Sequence, residues 1–115
     1  MTILTLCIAS ILSAPAAQAA RGPEYGVWND YVWLPGLWRA IGECETGLDW
    51  KHSTRDYVGA FGFYRGTWSA YRGSFPADAT RATPWQQYQV ALRVARSVGL
   101  RAWGCFTHGG YRAHL

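Results

Sequence analysis

Cys44-Glu45-Thr46-Gly47 sets a carboxylic acid where a proton could be handed to a leaving-group oxygen. Leu34, Leu37, Trp38, Ile41 and Cys44 recur at helical spacing, and Glu45 follows Ile41 by four residues, so it borders the apolar face of that helix. Gly47 offers the left-handed residue on which helices commonly end. Glu45 therefore falls in the last turn, where the negative end of the helix dipole disfavours a carboxylate. Partial burial among aromatic rings acts in the same sense. Both effects favour the acid form, which is what a general acid needs. The same pattern also describes a solvated glutamate at a helix end, and spacing alone leaves both readings open. Glu43 points elsewhere and reads as solvated.

The elements that must position Glu45 can be sketched. The first firm helix covers residues 35–45, with proline tolerated at its start. Tyr57-Val58-Gly59-Ala60-Phe61-Gly62-Phe63 alternates large and small residues, and its glycines argue against a central strand. A short hairpin or an extended loop is expected. Gly66-Thr67-Trp68-Ser69-Ala70-Tyr71 reads as a short helix ended near Gly73, followed by a loop over residues 75–82. Thr83-Pro84 is a strong helix start, with Thr as N-cap and Pro in the first turn. The stripe Trp85, Tyr88, Ala91, Leu92, Ala95 and Val98 is expected to face the core, and Gly99 to end the helix. Ala102-Trp103-Gly104-Cys105 then returns the chain towards Cys44.

A chain of 115 residues allows one domain. Half its residues are apolar and 16% are charged, a balance that excludes intrinsic disorder. The core is small enough to benefit from a covalent staple. The formal charge of +4 suits an anionic partner such as a cell-wall polymer, a membrane surface or nucleic acid. The arginines are dispersed and no nucleic-acid recognition motif is present, which argues against the last. Residues 1–19 read as a signal peptide. Its apolar run, ILTLCIASIL, is too short to span a bilayer, and Ala17-Gln18-Ala19 supplies the small-x-small cleavage pattern. No stable membrane insertion is expected after cleavage; an uncleaved anchor is the alternative reading of this segment. Cys7 leaves with the signal. Residues 20–35 read as an aromatic lead-in in which Trp28, Tyr31 and Trp33 are expected to pack on the domain, with a sugar-stacking surface as the alternative, and residues 36–115 as the domain itself. In an exported chain the remaining pair, Cys44 and Cys105, reads as a disulfide, with two buried free thiols as the alternative. Closing so long a loop contributes roughly 4 kcal/mol. His52, His108 and His114 are not spaced as metal ligands, and neither CxxC nor HExxH occurs, so no metal or other cofactor is expected.

Four segments in order carry a resemblance. Cys44-Glu45-Thr46-Gly47-Leu48-Asp49-Trp50 resembles the CESGGNW segment of the resuscitation-promoting factor family. Tyr57 to Phe63 with Gly66-Thr67-Trp68 is similar to YYGGLQF and STW, Ala82 to Gln87 with Val90-Ala91 to ATREQQIAVA, and Ala102-Trp103-Gly104-Cys105 to GAWPVC. The family comprises secreted, transglycosylase-like muralytic domains of lysozyme-like fold. The resemblance implies a mostly helical α+β fold, a small lysozyme-like domain with the hairpin or loop at its cleft. It implies peptidoglycan glycan strands as substrate, a monomer located outside the cell at the wall, Glu45 as catalytic acid, and Thr67 in the substrate cleft. Cys44 and Cys105 match the family's disulfide. Trp50, Tyr57 and Trp68 match aromatics of the cleft or of the core, and the sequence does not divide those roles. Gly62 stands where the family often has Gln, Asp49 replaces Asn, and AWGC is one residue shorter than AWPVC.

One acid or two decides the product. Glycosidases usually pair two carboxylates across the scissile bond. Asp56, ahead of the hairpin, is the better candidate partner; Asp49 reads as a turn residue and Asp78 has weaker claims. If Glu45 acts alone, the substrate's own 6-hydroxyl attacks and a 1,6-anhydro sugar forms. With Asp56, water enters and the enzyme is a lysozyme-type hydrolase. A non-catalytic glycan-binding module is the third reading.

Overall fold

The computed structural model describes residues 33–115. The expected signal peptide, Cys7 and the lead-in up to residue 32 lie outside the described residues. Helix α1, Gly36–Thr46, starts directly after Pro35, whose fixed φ suits the entry and whose missing N–H is no loss there. It ends on two successive left-handed residues, Gly47 at φ 73° and Leu48 at φ 56°. The Leu48 N–H donates back to the Gly42 carbonyl at 3.0 Å. Its side chain folds over Gly42, where a Cβ would lie 2.6 Å from Leu48 Cδ1. Trp38, Ala40 and Ile41 are buried, as the spacing predicts.

Strands β1 (Tyr57–Val58) and β2 (Phe63–Tyr64) pair antiparallel, Tyr57 opposite Tyr64 and Val58 opposite Phe63. The hairpin alternative is thus the observed one. Its turn needs φ of 79° at Gly59 and 62° at Gly62, conformations that glycine adopts without steric cost. Helix α2, Arg65–Tyr71, follows at once. The expected loop carries a 3₁₀ turn, Ala79–Arg81, capped by Asp78. The Thr80 hydroxyl and N–H both donate to Asp78 and hold its carboxyl below the usual range. Helix α3, Pro84–Val98, opens on a full capping box: Thr83 Oγ1 accepts from the Gln86 N–H, and Gln86 Oε1 accepts from the Thr83 N–H.

The buried face of α3 differs from the expected stripe. Gln87, Val90, Ala91 and Val94 face the core, while Trp85, Tyr88, Leu92 and Ala95 are half-buried and Val98 is 40% exposed. The reason is Gln87, a polar residue with 0% exposure. Its Oε1 accepts from the Ala60 N–H, and its Nε2 donates to the Trp50 and Ala79 carbonyls, each at 2.9 Å. Hydrogen-bonding demand from three loops, together with burial of Val90, Ala91 and Val94, sets how α3 is rotated.

Beyond α3 come a 3₁₀ turn, Leu100–Ala102, the short helix α4, Gly104–Thr107, and a terminal 3₁₀ turn, Gly110–His114, which lies against α1. There His114 Nδ1 lies 3.6 Å from Glu43 Oε2. The Cys44–Cys105 disulfide forms, with Cα atoms 6.0 Å apart across 61 residues of chain. Removing it should cost roughly 2–5 kcal/mol of stability, read as the shift of the urea midpoint between oxidised protein and its Cys→Ser variants. An unchanged midpoint would refute that.

A run of packed aromatic rings, mostly edge-to-face, makes the centre of the core. Trp38 packs on Phe61 and Trp103 with centroids 5.6 and 5.0 Å apart, Trp50 packs on Phe61 at 5.7 Å, and Phe63 packs on Trp68 at 5.5 Å. The result is a mostly helical α+β domain with one small hairpin. Among the described residues no helix is long and apolar enough to cross a membrane.

Candidate active site

The last turn of α1, the loop before β1, the hairpin turn and the segment entering α4 enclose a groove of about 450 Å³. Glu45 enters it from α1, and Trp103 forms a wall fixed by a 3.0 Å hydrogen bond from its Nε1 to the Phe61 carbonyl. An adjoining hollow of about 250 Å³ shares Tyr57, Gly62, Ala102 and Trp103 with the groove and adds Tyr64 and Thr67. Thr67 and Glu45 thus border neighbouring parts of one depression, divided by the hairpin turn. Tyr57 and Tyr64 flank it, 49% and 58% exposed, with ring centroids 6.2 Å apart.

Glu45 is held at one oxygen only. Oε1 accepts the Cys105 N–H at 3.0 Å, and the disulfide to Cys44 ties that donor to the residue preceding the acid. Oε2 has no hydrogen-bond partner among the described residues and lies 3.7 Å from where a Gly62 Cβ would be. Thr46 is committed elsewhere: its hydroxyl donates to the Ala60 carbonyl at 2.6 Å and accepts from the Asp49 N–H at 3.1 Å. That bond locks the end of α1 to the hairpin turn. Among the described residues, the polar side-chain groups left open to a ligand are Glu45 Oε2, the His52 imidazole and the hydroxyls of Tyr57, Tyr64 and Thr67.

No second carboxylate lines either part of the depression among the described residues. Asp56 is turned to its neighbour, with Arg55 Nε and Nη2 donating to it at 3.3 and 3.1 Å. Asp49 is a turn residue, accepting from the Lys51 N–H at 2.9 Å. Trp50 and Trp68 lie in the core rather than along the groove. Trp68 also donates from Nε1 to the Pro76 carbonyl at 3.0 Å. Of the three aromatics drawn from the resemblance, Tyr57 alone borders the depression. Sequence reasoning missed His52 and Trp103 as lining residues, and the Cys105 N–H as the clamp on Glu45. The first carries no motif, and the other two depend on how the chain returns after α3.

Gly62 explains its own identity. A Cβ there would meet Thr46 Cγ2 at 3.6 Å and Glu45 Cβ and Oε2 at 3.7 Å, ordinary contacts, so space is not the constraint. The positive φ is. Gly62→Ala should therefore lose about 1 kcal/mol of stability through the backbone, measured by urea denaturation. A loss above about 3 kcal/mol would point to a clash instead.

A mostly helical α+β domain with one carboxylate set in a groove beside a short hairpin is the architecture expected of a small lysozyme-like domain. The family model described as transglycosylase-like domain matches residues 36–106, and the chain belongs to that family. It is 43% identical over 93 residues to resuscitation-promoting factor RpfE of Mycobacterium tuberculosis, a match covering 80% of this chain and 48% of that protein. It is 31% identical over 99 residues to resuscitation-promoting factor Rpf2 of Corynebacterium glutamicum, covering 84% of this chain and 25% of that protein. The chain therefore spans less than half the length of either relative.

Proposed function

We propose that the chain is a secreted, monomeric enzyme that cleaves the β-1,4 bond between MurNAc and GlcNAc in peptidoglycan, with Glu45 acting first as acid and then as base. The observation that carries this reading is the lone carboxylate in the groove, clamped through one oxygen with the other left open. Membership of the transglycosylase-like family and likeness to two resuscitation-promoting factors support the same chemistry. The disulfide suits an oxidising, extracellular location.

Glu45 gives its proton to the bridging oxygen as the C1–O bond breaks, and GlcNAc leaves with its 4-hydroxyl restored. The carboxylate then takes the proton of the MurNAc 6-hydroxyl, whose oxygen closes on C1. A 1,6-anhydro sugar forms and no water is consumed. Edge and face contacts from Tyr57 and Tyr64 hold the sugar rings, and Thr67 supplies a hydroxyl in the adjoining hollow.

Mass analysis of soluble products from purified peptidoglycan tests the reading. Muropeptides lighter by one water than hydrolysed ones are expected. Hydrated products would assign a hydrolase, with water in place of the 6-hydroxyl. Binding without cleavage would assign a glycan-binding module.

A further inference from the structure

His52 is the one side chain lining the groove that can carry positive charge; no Lys or Arg borders either part of the depression among the described residues. Its backbone is fixed on both sides. The His52 N–H donates to the Asp49 carbonyl at 3.0 Å, and its carbonyl accepts from the Gly59 N–H at 2.9 Å. Ser53, the next residue, bridges to Val58 of β1. The imidazole itself has no hydrogen-bond or ion-pair partner among the described residues and is half-buried. A rigid backbone thus presents an uncommitted donor to a groove whose one carboxyl group, among the described residues, is that of Glu45.

The two sugars that alternate along the proposed substrate differ in one place. The muramyl ring carries a lactyl ether at O3, ending in a carboxylate or in the stem peptide joined to it, and the glucosamine ring carries a hydroxyl there. A groove that must set the muramyl 6-hydroxyl and C1 beside Glu45, not those of glucosamine, has to recognise that substituent. Among its open polar groups the imidazole best matches an acyl or carboxylate oxygen, because it donates and can add charge. We propose that His52 is a specificity-determining residue that binds the lactyl–peptide substituent of the muramyl sugar and so sets which sugar faces Glu45. This rests on the peptidoglycan reading given above.

The test uses soluble fragments of equal ring number, one alternating muramyl-peptide with glucosamine and one of glucosamine alone. Their affinities are measured by calorimetry for Glu45→Gln protein, which separates binding from turnover, and for the same protein carrying His52→Ala or His52→Gln. The Glu45→Gln protein is expected to prefer the muramyl fragment by about tenfold or more, the size of one hydrogen bond to a charged group. His52→Ala should abolish that preference while leaving affinity for the glucosamine fragment unchanged, a ratio that mere loosening of the fold would not move. His52→Gln, which keeps a donor, should retain part of it. A preference that survives His52→Ala, while wild-type protein cleaves peptidoglycan, overturns the role of His52 alone. If neither fragment binds and peptidoglycan is untouched, the proposed activity and the role of His52 fall together.

Discussion

Glu45→Gln should lower turnover of peptidoglycan by about 10²–10⁴-fold or more, with the fold unchanged, because a positioned general acid typically contributes that much. The amide keeps the shape of the side chain and can still accept the Cys105 N–H through its oxygen, so the clamp on one atom survives. What it lacks is the proton to give and the carboxylate to receive one. Both halves of the proposed reaction fail together, because one group serves both. The second carboxylate provides the contrast. Asp56 is bound to Arg55 and borders neither part of the depression, so Asp56→Asn should change turnover only modestly. Steady-state rates on purified peptidoglycan, with circular dichroism to check the fold, decide the matter. Near-normal turnover by Glu45→Gln would end the single-acid mechanism. Equal damage from Asp56→Asn, together with hydrated products, would transfer the chemistry to a two-carboxylate hydrolase.

Gln87→Ala should be strongly destabilising for a polar substitution, costing about 3 kcal/mol or more. Three buried backbone groups lose the Gln87 amide at once: the Ala60 N–H, the Trp50 carbonyl, and the Ala79 carbonyl, which keeps only the Ala82 N–H. Each unsatisfied buried group costs on the order of 1–3 kcal/mol, and a small domain has only about 5–15 kcal/mol in all. A cavity where the side chain stood adds to the loss. Gln87→Leu fills much of that space but restores none of the three lost hydrogen bonds, so it should recover little. Gln87→Glu keeps the acceptor for Ala60 but turns a carboxylate onto two carbonyls, and should be no better than Ala. Urea denaturation of the three variants provides the measurement. A loss below about 1 kcal/mol for Gln87→Ala would show that the loops hold without it. The damage should reach the active site too, since the Ala60 carbonyl accepts the Thr46 hydroxyl next to Glu45.

Much of the local structure was legible in the sequence because it depends on neighbours in the chain. The helix ending at Gly47 and the capping box at Thr83 follow from steric and hydrogen-bonding preferences acting over four or five residues. The paired glycines of the hairpin turn belong to the same class. The pairing of Cys44 with Cys105 was legible from their number on the expectation that Cys7 lies in a signal peptide, with free thiols as the alternative that the disulfide rules out. Glu45 was legible as a candidate acid from its place on the helix and from its motif.

The tertiary structure decided what depends on residues far apart in the chain. The stripe read on α3 was misassigned because Gln87 looks like a surface residue until three loops meet around it. A buried amide contributes hydrogen bonds rather than apolar area, and periodicity of hydrophobicity is blind to that. Trp50 and Trp68 could not be told from cleft aromatics, because core and sugar platform call for the same flat apolar ring. The clamp from Cys105 and the groove onto which His52 opens exist only where the segment after α3 lies beside the end of α1, tied there by the disulfide. The type of the candidate acid is thus written in the chain, but which of its oxygens is free, and what faces it, is set by contacts between segments some sixty residues apart.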